Sequence, residues 1–126
     1  MVFKKFEDIE VRKTGRELVK KVYAQSATGS FAKDWGFRDQ MQRAVVSICS
    51  NMAEGYARRG NKEMVKFFWI AKGSAAEAQS QLYHALDLGY VDQSTFDALY
   101  DELNKIQVMI YRLIQSLSRD PCRQKV

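Results

Sequence analysis

A single proline and 7 glycines leave this chain of 126 residues little material for tight turns. That argues against an all-β or loop-rich fold, whose turns need both residues. Histidine occurs once, as His84, and no Glu-x-x-His pair is present. Zinc takes three or four clustered Cys, His or carboxylate ligands, and di-metal bundles take Glu-x-x-His from facing helices. The sequence therefore implies neither a metal nor any other cofactor. A nucleophile elbow and a phosphate-cradling glycine loop are missing too, so a non-enzymatic protein is expected. The 2 cysteines, Cys49 in a helical pattern and Cys122 in a charged tail, make no disulfide framework. No apolar run approaches the roughly 18 residues of a membrane span. Met1-Val2-Phe3-Lys4-Lys5 leads into charge rather than a secretion signal. The expected protein has no membrane contact and resides in the cytoplasm.

What is there is amphipathic helix. With 46% hydrophobic and 28% charged residues, residues 1–126 suit one globular domain burying about two thirds of its unfolded surface. The net charge is +5, which permits an anionic partner without demanding one. Apolar periodicity places helices at about 7–25, 37–59, 61–88 and 94–118, with a basic tail over 119–126. Four such helices on short turns pack best as an all-α, antiparallel up-down-up-down four-helix bundle. The first carries Val11, Gly15, Leu18, Val19, Val22 and Tyr23 on one face and Arg12, Lys13, Arg16, Lys20 and Lys21 on the other. Between Gln25 and Gly36 the pattern fails, and Phe31 and Trp35 are expected to anchor the loop. Ser94-Thr95-Phe96-Asp97 has capping-box spacing. Beyond it Phe96, Leu99, Leu103, Ile106, Ile110, Leu113 and Leu117 form a seam of alternating three- and four-residue steps.

The second predicted helix organises the rest. Met41, Ala44, Val45, Ile48 and Met52 make its apolar stripe, and Ser47, Asn51, Glu54 and Arg58 a polar stripe beside it. A further flank of Val46, Cys49, Ala53 and Tyr56 is more apolar surface than one contact needs, and it is the expected contact between subunits. The polar stripe has two readings. In one, Glu54 pairs with Arg58 and Asn51 bonds to a neighbouring helix; in the other, the stripe binds a partner. Arg58, Arg59, Lys62 and Lys66 crowd the turn into the third helix, where exposed cations can hold phosphates. Arg43 lies about four turns earlier and joins that patch only if folding or assembly brings it near. Tyr56 is placed to stack on an unpaired base.

The stretches Phe6-Glu-Asp-Ile-Glu-Val11, Arg43-Ala-Val-Val-Ser-Ile48, Asn51-Met-Ala-Glu-Gly-Tyr56 with Arg58, Arg59, Lys62 and Glu63, and Leu86-Asp-Leu-Gly-Tyr-Val91 carry a resemblance. The chain resembles the bundle proteins encoded by intervening sequences in bacterial 23S ribosomal RNA genes, a family related to accessory proteins of diversity-generating retroelements. The resemblance implies an up-down bundle assembled into a homopentameric ring, without enzymatic activity. It also implies association with nucleic acid, RNA foremost, and a reverse transcriptase as a partner in the retroelement relatives. Relatives commonly carry Pro where this chain has Cys49, and the segment from Ser26 to Gly36 departs from the family pattern. Two functions follow: an oligomer that pools basic residues to bind RNA, or a protein-interaction scaffold whose charge is incidental. In the scaffold, the flank of the second helix and the small face of the third would bind protein.

Overall fold

The computed structural model describes residues 5–119, with side chains from Glu10 onward. The basic tail from Asp120 and its Cys122 lie outside the described residues. The elements are α1 (Lys5–Ser26), α2 (Gly29–Lys33), α3 (Trp35–Ala57), α4 (Asn61–Asp87) and α5 (Gln93–Ser118). The four long helices match the expected ones to within two residues at each end, and the described residues contain no strand.

Each long helix packs antiparallel to the next in sequence, and α5 closes the square against α1. Pairing across the square fixes the directions. Gly15 meets Cys49 while Ser26 accepts from Gln42, Gly55 meets Phe68 while Ser47 meets Ser74, and Gln79 donates to the Tyr100 carbonyl while Asn61 donates to that of Leu117. Lys21 pairs with Glu102 across α1 and α5. The core is built from the predicted stripes. All seven seam residues of α5 are buried, joined by Ile114, because steps of three and four keep one line of a helix facing its neighbours. On α4 the buried line narrows to Ala71, Ala75, Ala78 and Ala85. That small face is consumed inside the bundle, where it admits α3 and α5 closely, and so is not open to a protein partner.

The turns follow local chemistry. At the end of α4 the Tyr90 N–H donates to the Ala85 carbonyl at 2.8 Å and the Gly89 N–H to Leu86 at 3.0 Å. This is a Schellman closure, with Gly89 at φ 75°. Helix α5 is capped by Asp92, whose carboxylate accepts from the Thr95 N–H at 2.8 Å, and not by the Ser94 box. Asp92 sits outside the first turn with extended backbone, where a side chain can reach back to the free N–H groups. Gly60, at φ 82°, opens the way from α3 into α4.

The segment expected as a loop holds the one-turn helix α2. Phe31 is buried there, its ring stacked on Tyr90 with centroids 5.2 Å apart and tilted on Phe37 at 5.7 Å. Trp35 does not anchor it: as the first residue of α3 it faces outward and is 71% exposed. Asp34 ties this corner together, accepting from the Phe37 N–H at 3.3 Å and from the Tyr90 hydroxyl at 2.6 Å. That hydrogen bond holds the Tyr90 phenol above its usual pKa. Tyr23, expected on the apolar face of α1, is likewise exposed.

Candidate functional site

The residues around Asn51–Tyr56 act first on the fold. Asn51 donates to the Ser47 carbonyl at 2.9 Å and to the Ser47 hydroxyl at 3.0 Å, both within α3. The bond to the neighbouring helix is made instead by Ser47, whose hydroxyl meets that of Ser74 at 2.9 Å. Glu54 pairs with Arg58 one turn on, at 2.7 Å. Gly55 is buried because Phe68 covers it: a Cβ there would lie 2.5 Å from the Phe68 ring. Tyr56 packs edge-on to the same ring, with centroids 5.2 Å apart.

The flank expected to meet another subunit runs along α1. Val46, Cys49 and Tyr56 are half-buried and Ala53 is exposed. Cys49 packs against Gly15, and burial pushes its thiol up despite the nearby charge of Arg16. The Arg12 guanidinium covers Tyr56, 4.4 Å from the ring centroid. With Val11, Ile48 and Met52 these groups line a shallow groove of about 290 Å³.

Antiparallel packing brings cations from separate helices to one end of the bundle. Arg12 and Lys13 near the start of α1 lie at the same end as Arg58 and Arg59 of the α3–α4 turn and Lys62 and Lys66 of α4. Arg112 and Arg119, at the end of α5, complete them, and all are exposed. Glu10, Glu54 and Glu63 are the only carboxylates among the described side chains there. Arg16 and Lys20 continue the stripe along α1 with Glu17 between them. Arg58 is partly committed, bonded to Glu54 and lying 4.8 Å from the Phe67 centroid. Arg43 stands about 20 Å away along α3 and does not join the patch. The opposite end carries Asp34, Asp39, Asp87, Asp92 and Asp97 against Lys33 and Arg38, the latter paired with Asp39.

Other surface features have no such bias. A groove of about 670 Å³ between α1 and α5 mixes Glu10, Glu17 and Glu102 with Lys13, Lys21, Lys105 and Arg112. His84 is exposed in the last turn of α4. Among the described residues no group of three His, Cys, Asp or Glu could hold a metal ion. No helix there is long and apolar enough to cross a membrane.

Sequence reasoning passed over Trp69 and Tyr111. Both are exposed, with ring centroids 5.9 Å apart across α4 and α5, and the Lys72 ammonium lies 5.8 Å from the indole centroid. The available signal was the position of Trp69 beside, and not within, the line Met64–Phe68–Ala71–Ala75 that is buried on α4.

Comparison with known proteins supplies a lineage. The model of a family described as 23S rRNA-intervening sequence protein matches residues 7–112. A solved structure from Bacteroides thetaiotaomicron, described as a protein of unknown function from the S23 ribosomal protein family, superposes with a TM-score of 0.79 at 18% identity. The match covers 86% of this chain and 98% of that one, and it shows the shared fold. No curated protein matches the chain.

Proposed function

The chain belongs to the 23S rRNA-intervening sequence protein family, and from that premise we propose that it is a non-enzymatic, homo-oligomeric bundle that binds RNA through pooled cations. A pentameric ring is the assembly favoured by the resemblance of its sequence. The observation that supports this reading is the bias of charge along the bundle: exposed Arg59, Lys62 and Lys66 stand at the same end as Arg12, Lys13 and Arg112, while aspartates outnumber Lys33 and Arg38 at the other. Phosphates bind such clusters with affinity that falls steeply as salt rises, because bound counterions are released. A ring of copies in the same sense would multiply the field.

Filter binding of structured RNA across a salt series tests the proposal. The expected result is micromolar or tighter retention with a steep salt slope. Reversing Arg59 and Lys62 to Glu should weaken binding to all sequences alike, since phosphate contacts carry no base information. Absence of retention at low salt overturns the reading. A protein-interaction scaffold is the second reading, favoured by exposed Trp35, Tyr83 and Leu88. A purified complex with another protein that survives nuclease would select it.

A further inference from the structure

We propose that the outer face of α4 is a stacking track for unpaired RNA, with Trp69 as the platform for a base and Lys62 and Lys66 as phosphate contacts. This rests on the reading that the protein binds nucleic acid, and adds which form it takes and where. Trp69 is 47% exposed and Tyr111 is 42% exposed. Two large rings set edge to face at 60° pack on each other while about half of the indole stays open to solvent.

Position on the helix links the plate to charge. At 100° per residue, Lys62, Lys66, Trp69 and Gly73 fall within about a 60° arc, and Lys62 precedes Trp69 by about 10 Å along the axis. Lys62 and Lys66 are exposed, and the Lys72 ammonium lies over the indole ring. A nucleotide stacked on Trp69 would take the place of the Lys72 ammonium over the ring and find Lys66 and Lys62 along the helix for its backbone. Gly73, one turn beyond, is exposed and has open space where a side chain would be, leaving room for a ribose or second base. Lys62 lies in the first turn of α4, so the track begins at the cationic end of the bundle.

The alternation of aromatic plate and cation fits single strands specifically. Every base offers a π-face, and stacking of one base on an aromatic is lost when the ring is removed. A duplex keeps its bases stacked inside and presents ribose and phosphate. It can use the lysines but not the indole. A protein partner on the same face would use the rings and have no need of the lysines.

The test is a fluorescence titration of the Trp35→Phe variant, in which Trp69 is the one indole left of the 2 in the chain. Oligouridylate and an RNA duplex of equal length are compared at low salt. The expected result is quenching of the parent indole by oligouridylate and, in filter binding at the same salt, Trp69→Ala weakening that RNA about tenfold or more, Trp69→Phe retaining most of the affinity, and duplex binding unchanged by either. Circular dichroism of each variant confirms that it folds. Equal affinity of Trp69→Ala and parent for oligouridylate overturns the track while leaving the RNA-binding reading intact. Dissociation of the assembly by Trp69→Ala with RNA affinity preserved overturns it in favour of a subunit contact. Failure of the parent to bind either RNA overturns both readings together.

Discussion

Gly55 shows how a single residue can bear on family signature and packing at once. In the Asn51–Tyr56 stretch it lies where α3 meets the Phe68 ring, with the Met64 carbonyl 3.3 Å from where a Cβ would stand. Gly55→Ala must displace an aromatic at the centre of the core, and it should cost about 1–3 kcal/mol as overpacking does. Gly73→Ala is the control. It adds a methyl to an exposed helix position with nothing within 4 Å, and should gain about 0.5–1 kcal/mol from helix propensity. Urea denaturation of the pair checks both, and equal destabilisation would refute this account of Gly55. The same residues mark what the sequence could tell. Periodicity identified the α3 stripe and the Glu54–Arg58 pair. It could not tell that Asn51 bonds within its own helix while Ser47 reaches Ser74, because at a stripe's edge two polar residues four apart have equal access to a neighbour.

At the scale of elements, the helices were legible and their beginnings less so. The α5 seam is a long-range pattern that one turn of local chemistry cannot disturb, and all of it is buried. Its cap was decided by backbone geometry at Asp92, two residues before the Ser94 motif. Backbone donation from Thr95 holds the Asp92 carboxyl below its ordinary pKa. A depressed folded value means stability that is present above the unfolded pKa of about 4 and lost as pH falls through the folded one. Asp92→Ala should therefore lower the melting temperature at pH 7 and leave it nearly unchanged in strong acid. An equal loss at both extremes would exclude the charged cap. The α2 turn escaped sequence reading for a related reason: five residues cannot show a helical period. Trp35 was misplaced because bulk alone does not reveal which of two nearby aromatics fills a gap, and Phe31 reaches Phe37 and Tyr90 first.

For the whole molecule, the architecture could be argued from pattern because four amphipathic helices have few ways to hide their apolar sides. The shared cationic end could not, since cations from α1, the α3–α4 turn and α5 meet only once the helices run antiparallel. That arrangement gives the described part of the chain an electric dipole, with its positive pole near Lys62 and its negative pole near Asp92. In the field of a polyanion such a body feels a torque before any contact forms, and so arrives already turned. In the proposed ring, copies aligned in the same sense would push one another apart at both poles. Added salt or a polyanion screens that push, so either should lower the protein concentration at which same-sense assemblies form in sedimentation runs, whereas antiparallel pairs would fall apart under the same additions.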